Sequence, residues 1–225
     1  MDTYLSNIKL EINRSIFLKD PDSSELGKRI ITGAISLIAE IGFEAFTFKK
    51  LAVQINSTEA SIYRYFESKH NLLVYLVVWY WRWMEYRLVF GTNNIEDSVV
   101  RLKKAIRILT EDIKQDSNFT HINEKLLNEI VIQNASKIYF IKEVEKENKE
   151  GFYLPFKELV ERVSQLILDC NKNFMYPHML VTSMIEGARH QRFFAANLPK
   201  LTDVVKGEDA IVEFYSNMVL KTILD

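Results

Sequence analysis

The chain has very little of what most enzymes and secreted proteins are built from. One cysteine, Cys170, in 225 residues rules out an internal disulfide and any CxxC redox or zinc motif, and makes Cys170 a core thiol. Seven glycines and four prolines leave few breakers, so long periodic stretches can run as helices. No glycine-rich phosphate loop or GxSxG elbow occurs. His121, His178 and His190 lack the HExxH spacing of a metal helix, and Glu186 and His190, four apart, have no third ligand, so they read as a surface pair. No catalytic residue, metal or cofactor is therefore expected. The longest apolar run, Leu72 to Trp81, is too short to span a bilayer, and the N-terminus lacks a basic region followed by a small-residue cleavage site, which predicts a cytoplasmic protein. Nor is there an excess of charge. Twenty-nine Lys and Arg face thirty Asp and Glu, with a pI near 6.5, so no global basic field draws the chain to nucleic acid.

What remains is 48% hydrophobic and 26% charged, enough to bury one sizeable core plus a small domain. The periodicity predicts an all-α protein without internal repeats. After an arm at 1–24, where Ile8, Leu10 and Ile12 alternate, the Asp20-Pro21-Asp22-Ser23-Ser24 cluster sets a helix start. The arm packs on the protein's own surface or touches DNA beside a reading helix, as in some DNA-binding proteins. Leu26 to Ile41 follows with an apolar face ending at Gly42.

The most informative stretch is 47–69, TFKKLAVQINSTEASIYRYFESK. Thr47 can cap a helix, with Phe46 and Leu51 placed for a hydrophobic staple. Phe48, Leu51, Ala52 and Ile55 then repeat at i, i+3, i+4, i+7, the spacing of one buried face, while Lys49 and Lys50 stay wet. Asn56 can take the left-handed conformation that ends a helix. Thr58 can cap a second helix in which Ile62 and Phe66 face inward and Glu59, Ser61, Tyr63 and Arg64 reach outward. Ser68 can cap a third. Two short amphipathic helices joined by a tight turn have the shape of a helix-turn-helix reader.

This stretch resembles the DNA-binding signature of the tetracycline-repressor (TetR) family: Thr47, Leu51-Ala52, a turn, then Ser61-Ile62-Tyr63-Arg64-Tyr65-Phe66 and Ser68-Lys69. With Ile31 to Phe46, including Gly42-Phe43, and the run to about Leu76, it covers about fifty residues. Asn56-Ser57 stands where the family usually has Gly-Val, which implies a normal fold with a slightly less stable turn. Glu59 is also unusual; a carboxylate repels phosphate but accepts a hydrogen bond from cytosine N4. Residues 26–75 hold six basic and four acidic side chains, a net of +2, which permits DNA binding without arguing for it.

The resemblance implies a helix-turn-helix head at 25–72 joined by a long helix to a regulatory and dimerisation bundle at 73–225. It implies a transcriptional regulator, commonly a homodimeric repressor released from palindromic double-stranded DNA by a small-molecule effector. Carried over by position, Thr47, Lys49, Tyr63 and Lys69 would contact phosphates and Glu59, Ala60, Ser61 and Arg64 would approach base edges, Arg64 as guanine reader; Tyr65 either joins them or packs.

Beyond the head, a helix apolar nearly all round runs from Lys69 to Phe90 and is expected to send Trp79, Trp83, Tyr86 and Phe90 into a second core. With Phe156 opposite and Arg189 or His190 as polar anchors, these aromatics line an effector cavity or simply fill the core. Helices follow from Ile95 to about Asp116, where Ser117-Asn118 ends one, through 121–149, whose charged close at Lys142 to Glu150 reads as solvated, and from Phe156 to Asn171. In the last two, after Pro177 and from about Glu208, Val181, Met184, Ala188, Ala195, Ile211, Phe214, Tyr215 and Met218 form apolar stripes. Such stripes are either intrachain core or, as the family implies, the dimer interface. Two alternatives stay open: a helical ligand-binding protein whose degenerate head no longer binds DNA, and an enzyme with a site assembled from distant residues.

Overall fold

Ser24 opens the first long helix by accepting the amide of Gly27 with its hydroxyl, satisfying one of the donors a helix start leaves unpaired. In the computed structural model, helix α1 spans Glu25–Ala45, and Ile30, Ile31, Ala34, Ile35, Leu37 and Ile38 form its buried face. Gly42 interrupts it at φ 77°, ψ 157°, a conformation a side chain would resist. Then come α2 (Phe48–Gln54), α3 (Glu59–Tyr63), α4 (Lys69–Thr92), α5 (Ser98–Thr110), α6 (Glu124–Gln133), α7 (Ser136–Tyr139), α8 (Val144–Lys149), α9 (Leu154–Cys170), α10 (Pro177–Asn197) and α11 (Ala210–Leu224). The structure describes residues 10–116, 119, 121–205 and 207–224. Among them there is no strand, and no helix is long and apolar enough to cross a membrane. Residues 1–9 of the expected arm and the Ser117-Asn118 helix end lie outside the described residues.

The chain divides into two compact units, one of Met1–Arg82 with Ile113–Leu154, the other of Trp83–Asp112 with Pro155–Asp225. In the first, α1 packs against α2, α6 and the short 3-10 turn at Pro21–Ser23. Leu72 to Trp81 of α4 are all buried, as a helix apolar all round requires. Trp79 belongs here, packed edge-on against Phe119 at 5.3 Å between centroids, and not to a second core as its sequence position suggested. In the second unit α10 packs on α11, and both pack on α5.

Two helices differ from the sequence reading for identifiable reasons. The expected helix to Asp116 stops at Thr110, whose carbonyl accepts from Arg192 Nε at 2.9 Å and Nη2 at 2.6 Å; a guanidinium suits the negative end of a helix dipole. The stretch 121–149 is three short helices, and its charged close is not simply solvated. Glu147 is buried, paired with His70 Nε2 at 2.7 Å and accepting from the Tyr153 hydroxyl. Burial, followed by the Glu147 hydrogen bond and charge, pushes the Tyr153 phenol far above its usual range.

Candidate nucleic-acid interface

The helix-turn-helix is assembled by local chemistry. Thr47 accepts the Lys50 amide at 3.2 Å, and Phe46 and Leu51 on either side of the cap are both fully buried, the arrangement of a hydrophobic staple. Phe48, Leu51 and Ala52 face inward. Asn56 takes φ 49°, so the turn uses the left-handed geometry its residue type allows, and the Ser57 amide returns to the Ala52 carbonyl at 2.8 Å. Thr58 then caps α3 by accepting the Ser61 amide at 3.2 Å.

The exposed face of α3 follows from what is buried beneath it. Ile62 and Phe66 are fully buried. Glu59, Ala60 and Arg64 are exposed, and Ser61 is half-buried with its hydroxyl 2.8 Å from that of Thr58. Tyr63 is 48% exposed, yet its ring is fixed edge-on against Phe48 at 5.0 Å. That contact aims the phenol outward while holding its base, which limits the rotamer entropy lost on meeting a ligand. Thr47 and Lys49 at the start of α2 are exposed. Regular helix ends at Tyr63, three residues short of the expected Phe66, with Arg64 still in a right-handed helical conformation.

Two residues expected at the interface are turned to structural work. Tyr65 is buried, its hydroxyl 2.7 Å from that of Ser24. Lys69 donates from Nζ to the carbonyls of Phe43, Glu44 and Phe46 at 3.1, 3.3 and 3.3 Å, and lies 4.7 Å from the Phe43 ring centroid. An ammonium has three donors, and all three close off the carbonyl end of α1.

The expected effector and dimer residues are dispersed. In the second unit a cavity of about 1020 Å³ is lined by Phe156, Val160 and Leu166 with Glu85, Arg162 and His178 among its polar groups. Of the predicted lining only Phe156 belongs to it. Trp83 is fully buried beneath the Arg87 guanidinium. Tyr86 and Phe90 pair at 4.7 Å with Phe90 exposed, Arg189 is buried beside Glu186, and His190 is exposed. Glu85 and Arg162, which sequence spacing gave no reason to join, form an ion pair at 3.1 Å. On α10 and α11, Val181, Met184, Ala188, Ile211 and Tyr215, read from sequence as either intrachain core or dimer interface, are buried within the chain. Ala195 and Met218 are half-buried, Phe214 is exposed, and so are Met175 and Met179. Among the described residues no cluster of three or more His, Cys, Asp or Glu is arranged to hold a metal ion.

The sequence profile of the bacterial regulatory proteins of the tetR family matches residues 30–76, the span from α1 into α4. No curated protein sequence matches the chain. In fold it is similar to the crystal structure of AibR in complex with isovaleryl coenzyme A and operator DNA, with a TM-score of 0.58 at 14% identity over 86% of this chain and 96% of that one. It is similar also to a TetR-family putative transcriptional regulator from Vibrio parahaemolyticus (TM-score 0.58, 19% identity, 87% and 98%). A tetR-family regulatory protein from Rhodococcus RHA1 gives a TM-score of 0.61 at 11% identity over 89% and 97%. Residues 30–76 are thus similar to the DNA-binding module of the bacterial tetR-family regulatory proteins, and the chain around them has an all-helical fold shared with solved members of that family.

Proposed function

We propose that the protein is a sequence-specific DNA-binding transcriptional regulator, a cytoplasmic homodimeric repressor released from a palindromic operator by a small-molecule effector. The observation that carries this reading is the exposed polar face of α3, held from beneath by Ile62, Phe66 and the Phe48–Tyr63 ring contact. A helix so presented fits the major groove, where base edges carry a distinct donor and acceptor pattern. Arg64 reads a guanine by its fork of donors, Glu59 accepts from a cytosine amine, and Ala60 and Ser61 approach the same edges. Thr47, Lys49 and Tyr63 contact flanking phosphates and fix register. Tyr65 and Lys69 act indirectly by holding the head in shape.

Dimerisation uses the outer sides of α10 and α11, where Met179 and Phe214 stay exposed while the inner sides are consumed in the core. Two heads about one DNA turn apart, roughly 34 to 36 Å, then match two half-sites. The Phe156-lined cavity is the effector site, and α4, whose backbone is continuous through both units, carries the change. Release requires an effector that binds the DNA-incompatible arrangement more tightly. AibR, similar in fold, was crystallised with both a coenzyme A thioester and operator DNA.

The test is selection from random duplexes by the purified full chain. A regulator enriches one palindrome. Tyr63→Ala then weakens binding to it, and Arg64→Ala costs about 1–3 kcal/mol and relaxes one base position. Binding that is indifferent to sequence, or none, would refute the proposal.

A further inference from the structure

The family match begins at residue 30, yet the chain ahead of α1 is built into the reading head. The Leu18 amide donates to the Tyr65 carbonyl at 2.8 Å, just beyond the C-terminal end of α3. The Tyr65 hydroxyl meets Ser24, the cap of α1, at 2.7 Å. Lys19 lies between these anchors with its Nζ 5.0 Å from the centroid of the Tyr65 ring, and the residue as a whole is exposed. Burial favours the neutral Tyr65 phenol, but the Ser24 and Lys19 hydrogen bonds and the charges of Lys19 and Arg64 together bring it below its usual range. Lys19 and Arg64 thus both act on this phenol. The 3-10 turn at Pro21–Ser23 fixes the strap further: Pro21 is buried, and its carbonyl oxygen would lie 2.1 Å from a Cβ on Gly27, so the turn sits directly on the α1 backbone.

We propose that Lys19 contacts a DNA phosphate flanking the half-site read by α3, so that the segment before the family module is part of the DNA-binding surface. The inference rests on the DNA-binding reading above. The chemistry is that of a point charge on a strap anchored at both ends. The ammonium has three donors, its place over the Tyr65 ring does not use them all, and Leu18 and Ser24 hold the backbone in place. Such a contact adds affinity without reading sequence. It also offsets acids of this part of the head, among them the exposed Glu25, Glu59 and Glu67 and the half-buried Asp20, and replaces the charge that Lys69 spends on carbonyls.

The experiment measures operator affinity of the full chain as a function of salt, using the duplex obtained by selection, for the wild type, Lys19→Gln and Lys19→Arg. Each lysine on a phosphate contributes about 0.9 to the slope of log affinity against log salt, so a two-headed complex of Lys19→Gln loses about 1.8. Affinity falls equally for the operator and its base-substituted variants, and Lys19→Arg keeps the wild-type slope. Neutralising single phosphates with methylphosphonates identifies the partner: one position per half-site weakens the wild type but leaves Lys19→Gln unaffected. If Lys19 only braces Tyr65, Lys19→Gln melts earlier but keeps the wild-type slope and the wild-type pattern of sensitive phosphates, and the inference is overturned. If the wild type selects no duplex at all, the DNA-binding reading itself fails and this inference falls with it.

Discussion

Replacing Lys69 by methionine separates the two roles a lysine at this position can have. Its Nζ donates to three carbonyls at 3.1–3.3 Å in a part-buried setting over the Phe43 ring. Methionine keeps the apolar stem against Phe43 and removes the donors. A hydrogen bond to a charged group contributes about 1.5–3 kcal/mol, and an unpaired buried acceptor costs a similar amount. These three bonds are long and water can reach part of the site, so their sum falls well below three such values; about 2 kcal/mol is the expected loss. In urea, with a slope of about 2 kcal/mol per molar, the unfolding midpoint of the unit containing the head drops by about 1 M at unchanged slope. The salt dependence of operator binding should stay at its wild-type value, because the ammonium is not on the DNA. An unchanged midpoint with a salt slope reduced by about 1.8 would show that Lys69 swings out to the phosphate, and would refute the structural role derived from its three carbonyl contacts.

Other substitutions test the packing and the electrostatics. A Cβ on Gly27 would fall 2.1 Å from the Pro21 carbonyl oxygen, a backbone atom that cannot rotate away. Gly27→Ala is therefore expected to cost about 2–3 kcal/mol as an overpacking strain, lowering the melting temperature by at least about 5 °C and weakening operator binding by displacing the strap before α1. Glu124 is fully buried, and burial is the largest cause raising its pKa above 4.5. The folded state therefore holds this proton more tightly than the unfolded chain, so its contribution to stability is fully present below about pH 4.5 and is lost as pH rises through the folded pKa. Subtracting the Glu124→Gln unfolding free energy from that of the wild type at each pH should give a difference that falls from pH 4.5 upward and then levels; a flat difference would contradict the burial effect.

The head was legible because its signals are local. Thr47, Asn56, Thr58 and Ser68 are caps and turn residues whose partners lie within a few positions, and the Phe48–Leu51–Ala52 and Ile62–Phe66 spacings mark buried faces. Ile55, placed on the buried face, is only half-buried, as the end of a short helix allows. What sequence could not show was long-range. Glu147 stands in a run of charges that reads as solvated, but His70, 77 positions away, and Tyr153 hold it inside. The partners of Lys69 are backbone carbonyls, which leave no trace in residue types. Trp79 and Trp83 lie on a helix apolar all round, where periodicity assigns no face. The stripes on α10 and α11 said that Val181, Met184, Ala188, Ile211 and Tyr215 would be covered, not by what. The close approach of Gly187 to Tyr215, whose hydroxyl would lie 2.3 Å from a Cβ on Gly187, shows the two helices packing on each other within one chain. A glycine facing a bulky stripe was the one available signal for that.

The claim on which the account turns is that the exposed side of α3 reads base edges, and repeating the duplex selection with Arg64→Ala tests it most directly. The wild-type palindrome should return with preference lost at one symmetry-related position in each half-site and kept at the others. The same palindrome recovered with undiminished preference at every position would contradict the account.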